Sequence, residues 1–122
     1  MPLPTQQRLN DHLVRWDREI KEFDAAIHVY GEKKADLEYR RAVVKETAKA
    51  ADPKAAGSRL DTLADADEQA HLLAREYRSA EGTIEAKKAR LRWCAAVADA
   101  LRSEVSTERA EAQLYADNRS EP

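Results

Sequence analysis

The side chains able to do chemistry are three histidines, one cysteine and a dense population of carboxylates. His12, His28 and His71 could ligate a metal or move a proton near neutral pH. None opens the H-E-x-x-H pattern that puts two imidazoles on one turn of a zinc-binding helix. Cys94 stands beside Trp93, with Arg90 and Arg92 close in sequence. A thiolate nucleophile needs an electropositive, accessible setting, whereas a buried cysteine packs as a small apolar residue. Rows of carboxylates such as Glu104, Glu108 and Glu111, or Asp65 and Glu68, have helical spacing. Glu68 and His71 make a single Glu-x-x-His, whereas the di-metal bundles need a pair of them on facing helices. P-loops, glycine-rich phosphate turns and nucleophile elbows are also missing from the sequence. The expectation is a protein that is not an enzyme, with no catalytic, cofactor-binding or metal-binding residues and no cofactor.

Basic residues suggest a different chemistry. The run KKARLR places Lys87, Lys88, Arg90 and Arg92 on one short stretch, where a helix could track phosphates. A second set, Arg40, Arg41, Lys45, Lys49, Lys54 and Arg59, is interleaved with Asp36, Glu38, Glu46, Asp52 and Asp61. With 21 basic and 23 acidic residues the net charge is -2, which exerts no general pull on nucleic acid or anionic lipid. Nucleic-acid contact, in support of DNA replication or recombination, is the alternative functional expectation.

The elements that carry these residues follow from composition and period. Charged residues make up 36% of the chain and aromatics 6%, and much of the apolar fraction is alanine, as in long helices and coiled coils. Alanine buries little area, so a narrow seam between helices is expected rather than a thick core. Stepping by four and three from Leu9 gives Leu13, Trp16, Ile20, Phe23, Ile27, Tyr30, Lys34, Leu37, Arg41, Val44, Ala48 and Ala51. A second stripe runs Leu63, Ala66, Ala70, Leu73, Tyr77, Ala80, Ile84, Lys87, Leu91, Cys94, Ala98, Leu101, Val105, Glu108, Ala112 and Tyr115. Both are heptad patterns, and neither slips at Gly31 or Gly82. Between them, ADPKAAGS combines Pro53, which cannot continue a helix, with Gly57 and a capping-box-like Ser58 and Asp61.

The predicted fold is all-α: a single domain over 1–122, with a helix at about 5–51, a turn at 52–57, a helix at about 58–116 and a frayed polar tail. Such a pair forms a long antiparallel coiled-coil hairpin, with arms of roughly 70 and 85 Å. Antiparallel pairing brings Lys87 near Glu22, Lys34 near Glu76, and Arg41 near Asp67 and Glu68. Ala86, Ala89, Trp93, Val97 and Ala100, approached by Val14 and Trp16, form a further apolar face. There, two hairpins are expected to pair as a homodimer and four-helix bundle. Val105, Ala112, Leu114 and Tyr115 lie on the expected C-terminal overhang and are candidates for binding another protein. Gly31 and Gly82 fall at one level of the two arms and are candidate hinges.

No apolar run approaches the roughly 18 residues that span a bilayer. MPLPTQQRLN also lacks the blocks of a signal peptide. No membrane association and a cytoplasmic location are expected. The stretch KKARLRWCAAVADALRSEVSTERAEAQLY resembles the helical ends of small accessory proteins of tailed phages from GC-rich bacteria. That resemblance implies an assembly or host-directed role. The leading expectation is a non-enzymatic coiled-coil protein–protein interaction or assembly protein.

Overall fold

The structure, a computed structural model, describes residues 4–120. Among them it is all helical: α1 spans Pro4–Ala51, α2 Gly57–Ala66 and α3 Glu68–Ser120. Proline suits the first turn of α1, where its missing N–H has no intrahelical partner. After Ala51 the chain turns on Asp52, whose carboxylate accepts from Lys54 N at 3.2 Å while its carbonyl accepts from Ala55 N at 3.0 Å. Lys49 Nζ then closes on the Ala55 carbonyl at 3.2 Å. The N-cap of α2 is Ala56 and makes no side-chain cap. The capping role expected of Ser58 is therefore corrected: the helix starts one residue earlier, and Asp61 pairs with Lys45 at 2.6 Å instead.

The expected second helix is divided. It breaks at Asp67, whose backbone is extended (φ -65, ψ 128), and restarts at Glu68. No proline or glycine marks this break. Asp67 makes it by capping: its Oδ2 accepts from Ala70 N at 2.9 Å, which satisfies a free donor in the first turn of α3. At the other end, α3 continues through residues expected to fray, as far as Ser120.

The described residues fall into two compact units. One draws on 4–22 and 87–120, the other on Phe23–Ala86. In the second unit, Ala55, Ala64, Ala70, Ala80 and Ile84 are buried. Helix α1 there meets α2 and α3 in opposite chain directions, as Tyr30–Tyr77, Lys33–Glu76, Arg40–Asp67, Arg41–Asp65 and Lys45–Asp61 follow in turn. In the first unit the buried residues are Thr5, Leu9, His12, Cys94, Ala98, Leu101 and Val105. Its pairs also run antiparallel: Thr5–Glu108, Arg8–Glu104, His12–Cys94 and Glu22–Lys87.

Gly31 and Gly82, the candidate hinges, both lie inside unbroken helix in the second unit; neither has positive φ, and a methyl group at either would meet nothing within 4 Å. Gly31→Ala and Gly82→Ala should each stabilise by about 1 kcal/mol, because an interior glycine costs that much against alanine. Thermal denaturation followed by circular dichroism should show a rise of roughly 4 °C for each.

Candidate interaction surfaces

The side of α1 that turns inward decides which residues remain available. On α3 the seam follows the expected stripe from Ala70 to Glu108. On α1 only alternate members do so as far as Leu37: Leu9, Trp16, Phe23, Tyr30 and Leu37 are buried or half-buried, and beyond them Arg41, Val44 and Ala48 are all half-buried. Between the first five the seam takes His12, Glu19, Ala26 and Lys33, each one position before the expected Leu13, Ile20, Ile27 and Lys34, and Arg40 is half-buried beside Arg41.

In the first unit, buried His12 donates from Nε2 to the Cys94 carbonyl at 2.7 Å, and its ring meets Trp93 edge-on at 5.9 Å between centroids. Glu19 lies between Lys87 Nζ (3.8 Å) and Arg90 Nη1 (3.2 Å). Lys87 also reaches Glu22 at 2.6 Å, the pair expected from the sequence, and this cation holds the Glu22 carboxyl below its usual pKa. Burial, followed by the nearby Glu19 charge, pushes the Cys94 thiol pKa up. That is the opposite of an activated nucleophile.

The basic run is thus partly committed within the chain. Lys87 and Arg90 are ion-paired with Glu19 and Glu22, and Lys88 also has an interaction of its own. Arg92 is exposed. In the second unit Arg40, Arg41 and Lys45 are paired with Asp67, Asp65 and Asp61. Lys34 is exposed, and Lys33 takes its expected partner Glu76 at 3.1 Å. Tyr30 and Tyr77 stack at 5.1 Å with hydroxyls 2.8 Å apart, and this hydrogen bond, helped by burial, pushes the Tyr77 pKa up to about 12.

The apolar face expected around Trp93 is smaller than the sequence suggested. Trp93 is 59% exposed, with exposed Ala86, Ala89 and Ala100 on the same helix, while Val97 packs against the Leu9–Leu101–Val105 cluster. Trp16 faces the seam and is half-buried. Val14 is two positions beyond His12, about 200° around the helix from the side that meets Trp93. Those two residues do not join the face.

The overhang is also shorter than expected. Thr5 bonds Glu108 and Arg109 reaches Gln6, so α1 covers α3 this far. Val105 is therefore core, 5% exposed against Leu9 and Leu101, and its assignment to a partner-binding overhang is corrected. Ala112, Leu114 and Tyr115 remain exposed, and Arg119 lies over the Tyr115 ring at 4.9 Å.

Among the described residues no group of three or more His, Cys, Asp and Glu could hold a metal, and no helix is long and apolar enough to cross a membrane. Comparison of the chain with protein-family models, with curated proteins and with solved structures finds no match.

Proposed function

We propose that this chain is a non-enzymatic helical interaction protein, a coiled-coil hairpin that binds another protein through the Trp93 side of its first unit. One observation carries the reading: a tryptophan that is 59% exposed yet positioned, its ring set edge-on to a buried histidine. Tryptophan is the commonest kind of interface anchor, because it offers a large apolar area and loses little side-chain freedom on binding. A pre-positioned ring loses less still. Small Ala89 and Ala100 on the same helix would let a partner helix approach closely. The exposed last turns bearing Ala112, Leu114 and Tyr115 offer a secondary contact.

The nucleic-acid alternative draws on fewer free cations than the sequence offers, since Lys87 and Arg90 are already neutralised by Glu19 and Glu22. The likeness of the C-terminal third to phage accessory proteins would make the partner a phage or host protein.

The test is site-specific photocrosslinking from position 89 or 100 in native host cells, compared with the same experiment in Trp93→Ala. The expected result is a discrete protein adduct, reduced at least tenfold by the substitution with helicity unchanged; loss of about 1.4 kcal/mol or more at an anchor gives that factor. Adducts unchanged in Trp93→Ala would reject the reading. A salt-dependent shift of short DNA abolished by Arg92→Ala would favour the alternative.

A further inference from the structure

We infer that the chain forms a two-fold homodimer through the other side of its first unit, where Leu13, Ile20 and Ala95 of one copy pack on the same residues of a second. One intrachain contact on this side and two on the opposite edge fix which rows border it. Arg109 Nη2 donates to Gln6 Oε1 at 3.1 Å. Gln6, Leu13 and Ile20 are spaced seven apart, as are Ala95, Arg102 and Arg109, so these two rows flank one edge of the seam. The opposite edge holds Arg8–Glu104 and His12–Trp93. Leu13 and Ile20 are 37% and 42% exposed because His12 and Glu19 take the inward positions beside them. Single exposed leucines are ordinary. Branched apolar residues at heptad spacing, one position outside an occupied seam, form the half of a second seam.

Charge identifies the occupant as another copy. Asp17 stands on the outer margin between Leu13 and Ile20, and Arg92 stands likewise between Lys88 and Ala95. The Glu19–Arg90 contact at 3.2 Å puts Asp17 and Arg92 at nearly the same height. Arg92 has no ion pair among the described residues, and the ion pair of Asp17 is an exposed i,i+4 bridge to Lys21. A two-fold axis parallel to the helices keeps heights and lays α1 over the second copy's α3. Asp17 then meets the partner's Arg92, twice by symmetry. A perpendicular axis would set the Lys88, Arg92 and Arg102 rows against themselves and is disfavoured by like charge.

This inference uses a different face from the Trp93 reading, so the two can fail separately. Sedimentation equilibrium of the full chain at high micromolar concentration should give the mass of two chains. Leu13→Glu with Ile20→Glu should give one chain with helicity retained. As a check independent of folding, Asp17→Arg should raise the dimer Kd by about tenfold, and Asp17→Arg with Arg92→Asp should restore it to within about threefold. A monomeric wild type overturns the inference, as does an Asp17→Arg defect that the second exchange fails to rescue. A dimer lost in Trp93→Ala but kept in Leu13→Glu/Ile20→Glu also overturns it, and moves the copy contact to the Trp93 side.

Discussion

Leu101→Ala should lower the unfolding free energy by about 3 kcal/mol, whereas Leu114→Ala should change it by less than about 0.5 kcal/mol. Leu101 is 6% exposed and packs with Leu9, Val105 and the half-buried Val97. Truncation removes three heavy atoms from that cluster and leaves a cavity in it. Leu114 is 64% exposed, beyond the reach of α1, and loses little when shortened. A chain of this size is held by roughly 5–15 kcal/mol in all, so 3 kcal/mol is a large share. Urea titration at one fixed protein concentration is the proper measurement, because an associating chain gains stability by mass action. Thermal midpoints should fall by roughly 10 °C for Leu101→Ala and hardly move for Leu114→Ala. Equal losses at the two positions would show that the seam does not end near Glu108.

The same pair of leucines shows how far the sequence could be read. The α3 seam was legible because its large apolar residues, Leu73, Tyr77, Ile84, Leu91, Leu101 and Val105, are themselves the inward-facing ones. On α1 the hydrophobic choice at alternate steps was Leu13, Ile20 and Ile27, and the fold takes the residue one position earlier, polar His12 and Glu19 and small Ala26. Hydrophobic periodicity cannot foresee this, because the polar residues are brought in by partners on another helix. His12 gains a carbonyl, Glu19 two cations, Lys33 a glutamate and Arg40 an aspartate. Small Cys94 and Ala98 on α3 are almost fully buried in the seam and leave room for such side chains. The Trp93 face was partly legible, since Trp93 and the three alanines share a helix. Val14 and Trp16 were assigned to it by their level along the chain, and level says nothing about direction around a helix. The break at Asp67 had one local sign, an aspartate followed directly by Glu68, which suits a helix N-terminus. Without Arg40 opposite, that sign looks like one more exposed acid.

Asp67→Ala should destabilise the second unit, and it should act differently from Asp67→Asn. The Asp67 carboxylate does two jobs. Its Oδ2 caps α3 at Ala70 N, and the group accepts from Arg40 Nε and Nη2, each at 2.9 Å, as a bidentate pair. Alanine removes both, and loss of the cap alone should lower the thermal midpoint by roughly 5 °C. Asparagine is as good a cap as aspartate but cannot form the ion pair, so Asp67→Asn should show a smaller fall. Acid separates the two roles further. The Arg40 hydrogen bonds, then the Ala70 N–H, hold the Asp67 carboxyl below its ordinary pKa of 3.8, and Lys45 does the same for Asp61. A carboxylate whose folded pKa is depressed contributes stability that is fully present above its unfolded pKa and is lost as pH falls through the folded value. The wild-type midpoint should therefore be level above about pH 5 and drop below about pH 4. Asp67→Asn should drop less steeply, because one of the groups that must be protonated is already neutral. If the two profiles were parallel down to pH 3, the Arg40–Asp67 pair would contribute nothing in solution, and the break between α2 and α3 would be held by the cap alone.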